Sequence, residues 1–187
     1  MEKQKKTGAD SLYDIDYYKS LKGKDAMQQR LMGRLPIIDI AGHPFFADAR
    51  IGLLRPLDNF STMGINIADI PVDPETRTLS FYYHIPSMTQ VAISGDATEY
   101  PKDVVMVTTP HRYGLDPVGM SYANDKDSKH FLVGRSPKMY LVAEITPLTQ
   151  SPMAAVINSN IERLYDNRIA VQKNKTIVHK RKKGRGI

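Results

Sequence analysis

The segment from Leu35 to Leu54, LPIIDIAGHPFFADARIGLL, constrains the fold more than any other part of the sequence. Apolar residues alternate with polar ones on both sides of Gly42-His43, a Gly-X pair that is typical of a two-residue type II′ turn. The pattern predicts a β-hairpin in which Ile40 lies opposite Phe45. Because residue periodicity and turn chemistry agree, this segment favours an antiparallel sheet.

The two faces of this hairpin differ in character. One is expected to be apolar and to carry Pro36, Ile38, Ile40, Phe45, Ala47 and Ala49. The other places Asp39 and Asp48 on a diagonal, roughly 7–8 Å apart between α-carbons. That spacing permits the acid/base carboxylate pair of a glycosidase. We favour instead a solvated face on which the aspartates meet Arg50 or Arg55, and a solvent-facing His43 in the turn.

Further strands are predicted by short alternating segments. The clearest cover 78–85, 104–109 and 139–145, and weaker ones cover 65–72, 88–94 and 131–133. These strands mostly follow one another without intervening helices, which argues against a parallel doubly wound sheet. The sequence therefore predicts an α+β fold, with a mostly antiparallel sheet of short strands, an N-terminal helical segment and one C-terminal helix packed on the sheet.

Three helices are predicted by capping residues. Asp10 or Ser11 begins the first, whose tyrosines (Tyr13, Tyr17 and Tyr18) are expected to pack rather than to stack on bases. Asp25 begins the second. Ser151-Pro152 begins the third, because Ser suits the N-cap and Pro the first helical position. The third should end near 166–168 and pack through an apolar stripe made of Met153, Val156, Ile157, Ile161, Leu164 and Tyr165.

Charge is concentrated at the ends of the chain. The net charge is +6, but residues 173–187 carry seven Lys and Arg and no acid, and residues 1–6 add +2, so residues 7–172 have a net charge of −3. The expected organisation is a disordered basic N-terminus over 1–10, one domain over 11–172 and a flexible basic tail over 173–187. The acidic body is not a nucleic-acid-binding surface on charge alone, whereas the tail is a candidate for one.

The basic tail is the strongest functional feature of the sequence. Basic runs of this kind neutralise phosphates by counterion release, which gives salt-dependent binding without sequence preference. They also suit nuclear localisation or acidic protein surfaces, or act only as a solvated terminus. We predict contact with DNA or RNA through Lys173, Lys175, Lys180, Arg181, Lys182, Lys183 and Arg185.

A second candidate site lies in residues 110–130, where the lack of periodicity predicts a long loop. Four of its side chains provide an imidazole, a guanidinium, a phenol and a carboxylate, which are groups that bind phosphate or carboxylate: His111, Arg112, Tyr113 and Asp116. The competing interpretation, which we favour, is a surface loop in which Gly114 and Asp116-Pro117 form turns.

Motifs for catalysis and for cofactor or metal binding are missing from the sequence. It contains no phosphate-binding glycine loop, no HExxH and no nucleophile elbow. The five histidines have no HxH or HxxxH spacing, and residues 124–136 lack the Gly and Glu that an EF-hand loop requires. We therefore expect no catalytic residue, no metal site and no cofactor.

These observations favour a non-enzymatic accessory protein that docks on protein partners and contacts nucleic acid. The alternatives are a structural or assembly subunit of a larger particle, including a homo-oligomer, and an enzyme or anion-binding protein that uses residues 110–120. The chain has no cysteine, no secretory signal at its start and no apolar run long enough for a membrane span. We accordingly expect a cytoplasmic location and no membrane partner.

Overall fold

The computed structural model of this protein describes residues 14–58, 63–123 and 136–183. The predictions of disorder over 1–10, of a helix cap at Asp10 or Ser11 and of a strand over 131–133 fall outside these ranges. So does Arg185 of the predicted nucleic-acid-binding set.

Two mostly antiparallel sheets, two N-terminal helices and one long C-terminal helix make up the architecture, which confirms the predicted α+β class. The first sheet has the order β4-β3-β2-β1-β8, and only its β1–β8 pair is parallel. Its strands are β1 (Ile37–Ile40), β2 (His43–Asp48), β3 (Leu53–Pro56), β4 (Ile65–Asn66) and β8 (Tyr140–Val142). The second has the antiparallel order β6-β5-β7-β9, with β5 (Thr78–His84), β6 (Thr89–Val91), β7 (Val104–Pro110) and β9 (Glu144–Pro147).

The predicted hairpin is formed by β1 and β2, with a different register. Ile38 rather than Ile40 lies opposite Phe45, and the two turn residues are Ala41 (φ 53°) and Gly42 (φ 85°) instead of Gly42-His43. Two successive positive φ angles define a type I′ turn, whose twist matches that of the strands. Because the strands have slid by two residues, every side chain remains on its predicted face.

One predicted strand, 139–145, is divided between the two sheets. Residues 140–142 form β8 beside β1, and residues 144–147 form β9 beside β7. The alternating pattern continues through this crossing because both Leu141 and Ala143 are buried in the core between the sheets. Periodicity records which side chains face the core, and it does not record which strand is the neighbour.

The main core lies between the two sheets. It contains Ile38, Ile40, Phe45 and Leu54 from the first sheet and Leu79, Phe81, Tyr83 and Val107 from the second. A second, smaller cluster covers the outer face of the first sheet, where Tyr18 and Ala26 of the N-terminal helices meet Ile37 and Met139. The first sheet is thus buried on both faces, whereas the sequence analysis predicted that the face bearing Asp39 and Asp48 is solvated.

The N-terminal helices are α1 (Ile15–Ser20) and α2 (Gly23–Leu31). Asp14 caps α1, because its carboxylate accepts hydrogen bonds from the backbone N–H groups of Asp16 and Tyr17. The second helix begins two residues before the predicted cap, Asp25, and leaves Lys22 at its N-cap position without a side-chain cap.

Two short helices, α3 (Arg112–Leu115) and α4 (Pro117–Ala123), occupy the first part of the predicted 110–130 loop. His111 caps α3 by accepting a hydrogen bond from the N–H of Tyr113 at 3.1 Å. Neither helix is long enough to give a helical repeat in the sequence, which is why the segment was predicted to be irregular.

The C-terminal helix, α5 (Pro152–Lys183), begins at the predicted residue and ends far beyond the predicted one. It includes most of the segment predicted as a flexible tail, 173–187. Its contact with the body is also shorter than predicted. Ala154 and Ile157 are buried, whereas Val156, Leu164 and Tyr165 of the predicted stripe are 39%, 38% and 59% exposed.

Candidate functional site: a lysine-lined cleft beside α1 and α2

A cleft of about 450 Å³ lies between α1, the start of α2 and the segment 136–140 that leads into β8. Its walls include Tyr18, Leu21, Pro137 and Met139, and three lysines line it as well: Lys19, Lys22 and Lys138. The volume is within the range of about 300–1,000 Å³ that small-molecule sites occupy.

The position of each wall follows from local structure. Burial of Tyr18 against the first sheet fixes the rotation of α1, so that the adjacent Lys19 reaches the cleft. The N–H of Ile37 donates to the carbonyl of Met139 at 2.9 Å, which attaches the opposite wall to β1. The hydroxyl of Ser136 donates to the carbonyl of Gly23 at 3.0 Å and joins that wall to α2.

Tyr140 forms part of the cleft, and its two contacts orient it. Its hydroxyl donates to Asp39 Oδ2 at 3.1 Å, and the Lys19 ammonium lies 5.0 Å from the centre of its ring. Burial, and then the charge of Asp39, raises the pKa of Tyr140 above its ordinary value, so the phenol stays neutral at physiological pH. The π-face of the Tyr140 ring attracts cations, which explains the position of the Lys19 ammonium.

The charge of the cleft is one-sided. Within the described part of the chain no Asp or Glu lines it, and none of its three lysines forms a salt bridge with a carboxylate there. This contrasts with the net charge of −3 over 7–172. This site was not predicted from the sequence, because Lys19 and Lys22 resemble any exposed lysines in or beside a helix and Lys138 is far away in the sequence.

The predicted 110–120 site has a different geometry. Arg112 donates to the carbonyl of Ala49 from Nε (2.8 Å) and Nη2 (2.6 Å), and Nη2 also reaches the carbonyl of Arg50 at 3.0 Å. These bonds attach α3 to the end of β2. Arg112 therefore joins α3 to the end of β2, and His111 caps α3. Both roles are structural, which favours the interpretation of this segment as a surface segment without a ligand.

Asp116, the carboxylate of the same predicted site, is fully buried and ion-paired with Arg30. Its Oδ1 accepts bonds from Arg30 Nε (2.9 Å) and from the N–H of Gly119 (2.9 Å), and its Oδ2 accepts from Arg30 Nη2 (2.8 Å). The pair joins α2 to α4. Since both carboxylate oxygens are engaged, Asp116 serves as an anchor between helices.

The carboxylates of the hairpin, Asp39 and Asp48, do not form a pair. In the observed register Asp39 lies opposite Pro44, which places Asp48 roughly 13 Å farther along the sheet, at about 3.3 Å per residue. Asp48 instead meets Arg50 at 3.2 Å and Arg55 at 4.0 Å. The aspartate–arginine contact was predicted, but Asp48 is buried rather than solvated.

His43 was expected to face solvent, but it is half-buried. Its Nδ1 lies 3.1 Å from the hydroxyl of Tyr83. Among residues 14–58, 63–123 and 136–183, no three His, Asp or Glu side chains are grouped as metal ligands would be. Within the same ranges, no helix is both long and apolar enough to cross a bilayer.

Comparison of the chain with family models, with curated proteins and with solved structures found no significant match.

Proposed function

We propose that the protein is a non-enzymatic accessory protein that contacts nucleic acid, DNA or RNA, through the basic end of α5 while its body docks on protein partners. The observation that carries the proposal is the continuity of α5. One helix starts in the body at Pro152 and continues to Lys183. At 1.5 Å per residue it is about 48 Å long.

The first turns of this helix attach it to the body. Asn158 accepts a hydrogen bond from the Tyr100 hydroxyl at 2.9 Å, and the Asn160 side-chain amide donates to the carbonyls of Gly95 and Ala97. Residues 162–166, 168 and 169 are exposed. The helix therefore leaves the body shortly after Asn160, and the basic residues lie on the part that follows.

The arrangement of the basic residues supports binding to the phosphate backbone rather than to particular bases. Positions 173, 175 and 180–183 belong to the helix, and residues 173–187 carry seven Lys and Arg and no acid. A basic run of this kind neutralises phosphates by its charge, and phosphate contacts do not select a sequence.

A docking element for protein partners lies on the same helix. Leu164, Tyr165 and Ile169 are 38%, 59% and 49% exposed, next to the body and ahead of the basic residues. Aromatic and aliphatic residues at the spacing of one helical face are the anchors by which amphipathic helices dock in grooves. A homo-oligomer or assembly subunit that uses this face differs in mass from an accessory monomer, so light scattering would distinguish them.

The test compares the intact chain with a variant in which Lys180, Arg181, Lys182 and Lys183 are all replaced by Gln. Glutamine keeps the helical propensity and removes the charge. Binding to labelled single- and double-stranded DNA and RNA is measured by fluorescence anisotropy across about 50–200 mM salt. A matched control replaces Lys24, Arg55, Arg77 and Lys102 by Gln, which removes the same charge from exposed positions of the body outside the lysine-lined cleft.

We expect the intact chain to bind with an affinity that falls steeply with salt. The α5 variant should lose most of that affinity and should have a shallower slope, by about 0.7–0.9 for each phosphate contact removed. The control should keep the slope. If neither the intact chain nor the control binds, nucleic-acid contact is wrong and the assembly function becomes the leading proposal.

A further inference from the structure

We propose that the lysine-lined cleft is a binding site for a small phosphate monoester whose organic part is apolar and of the size of one ring. This inference goes beyond nucleic-acid contact by α5 and does not depend on it. It rests on the juxtaposition of an apolar wall with three lysines inside a cleft of about 450 Å³, where no described carboxylate forms a salt bridge with those lysines.

The lysines select the head of the ligand. Three lysines line the cleft, and none of its described lining residues is a carboxylate. A phosphate monoester carries close to two negative charges at neutral pH. Lys binds phosphate as a point charge, whereas planar carboxylates are matched better by the fork of Arg. Among the described residues the cleft is lined by three Lys and no Arg, which favours the phosphate.

Lys22 gives an independent indication that the charge here serves a ligand. It occupies the N-cap of α2 and makes no capping hydrogen bond with its side chain. A cation at a helix N-terminus opposes the helix dipole, and Ser, Asp or Asn would stabilise the helix better. A locally unfavourable residue of this kind is typical of a functional position. A bound phosphate would neutralise Lys22 and also meet the positive end of α2.

The wall opposite the lysines selects the body of the ligand. Pro137 and Met139 are buried, Leu21 is half-buried, and Tyr140 presents its ring with the hydroxyl held by Asp39. A ring-sized apolar group placed against these side chains removes apolar surface from water, at about 25 cal/mol per Å². A free phosphate ion gains nothing from this wall, so the phosphate monoester should bind more tightly than either of its parts.

The experiment is an amide-resolved NMR titration of the full chain with phenyl phosphate as the probe, with inorganic phosphate, phenol and benzoate as comparisons. We expect saturable shifts at the amides of residues 18–23 and 136–140. Inorganic phosphate and phenol should each bind at least about tenfold more weakly than phenyl phosphate, the equivalent of about 1.4 kcal/mol, and benzoate should bind more weakly as well.

Variants then assign the binding to the three lysines. Each single variant should lower the affinity for phenyl phosphate about two- to fivefold, which is the scale of an exposed ion pair. These variants are Lys19→Gln, Lys22→Gln and Lys138→Gln. The triple variant should lose more than tenfold. Lys102→Gln is the matched control, since Lys102 is 91% exposed and lies outside the cleft, and it should leave the affinity unchanged.

Two results would overturn the proposal: shifts that do not saturate at millimolar phenyl phosphate, or a triple variant that binds as tightly as the original chain. Binding of benzoate as tight as that of phenyl phosphate would overturn the choice of phosphate. The α5 variant with four glutamines should retain phenyl phosphate binding. A cleft that does not bind phenyl phosphate and an α5 that does not bind nucleic acid would therefore be detected in two separate experiments.

Discussion

Arg30 and Asp116 form a two-point ion pair that is buried on both sides, although 86 positions separate them in the sequence. Their side chains are 5% and 0% exposed. The pair fixes α4 against α2, which also begins at the lysine-lined cleft. Asp116, which the sequence placed in a candidate anion-binding loop, thus stabilises the fold.

Asp116→Asn should destabilise the protein by about 3–5 kcal/mol, because it leaves the Arg30 charge buried without a counter-ion. Adding Arg30→Met removes that charge and should recover a large part of the loss. Urea unfolding of the two single variants and the double variant gives the coupling free energy, which we expect to exceed about 1 kcal/mol.

Lys102→Ala is the control for this ion pair. It breaks an exposed 3.9 Å contact with Asp103 and should change the free energy of unfolding by less than about 0.5 kcal/mol. An Asp116→Asn variant as stable as Lys102→Ala would contradict the anchoring role of the buried pair.

Gly119→Ala should destabilise the protein by about 1–3 kcal/mol, the usual penalty for overpacking. A Cβ at this position would overlap the Asp116 carboxylate and lie 2.7 Å from Arg30 Nη2. Gly95→Ala is the matched control, because a Cβ there meets no atom within 4 Å. Thermal unfolding should show a lower midpoint for Gly119→Ala alone, and equal midpoints would contradict the close packing of α4.

Ala41→Asn should stabilise the protein by about 0.5–1 kcal/mol, since Asn-Gly is the preferred pair for a type I′ turn and tolerates positive φ. Gly42→Ala should destabilise it by about 1 kcal/mol through backbone strain alone, because a Cβ at Gly42 has no atom within 4 Å. Denaturant unfolding of both variants measures these changes. An Ala41→Asn variant no more stable than the original chain would favour a turn at Gly42-His43, because residue 41 would then lie before the turn and would not need a positive φ.

Tyr83 should lower the stability of the protein at alkaline pH. Burial, and then the charge of Asp39, raises the pKa of Tyr83 well above its ordinary value of 10.0. Because the pKa is higher in the folded than in the unfolded state, the stabilisation that neutral Tyr83 contributes is complete below pH 10. It is lost as the pH rises beyond 10. The free energy of unfolding should then fall by up to about 1.4 kcal/mol per pH unit for this one group.

Tyr83→Phe tests that pH dependence. Urea unfolding between about pH 8 and 11 should show a shallower alkaline decline. At neutral pH the free energy of unfolding of the variant should be lower by about 1 kcal/mol, because His43 loses its hydrogen bond with the Tyr83 hydroxyl. Tyr122→Phe makes the same change at a residue that is 55% exposed, and it should follow the original chain. Identical alkaline profiles for Tyr83→Phe and the original chain would contradict the role of Tyr83.

Local patterns were sufficient where neighbouring residues decide the structure. The alternation of Ile38, Ile40, Phe45 and Ala47 identified the buried face of the hairpin, and Ser151-Pro152 identified the first residue of α5. The register of the hairpin was wrong because two turns fit the same sequence. A slide of two residues leaves the faces unchanged, so the apolar pattern cannot choose between those turns.

The sequence by itself determined the α+β class, the apolar faces of the strands and the concentration of positive charge near the end of the chain, since each depends on residue type and short-range spacing. Only the tertiary structure decided that Arg30 neutralises Asp116, that residues 140–147 cross between sheets and that Lys138 lines the same cleft as Lys19 and Lys22. Those relationships join residues far apart in the sequence. They depend on how the chain closes on itself, and no local periodicity records that.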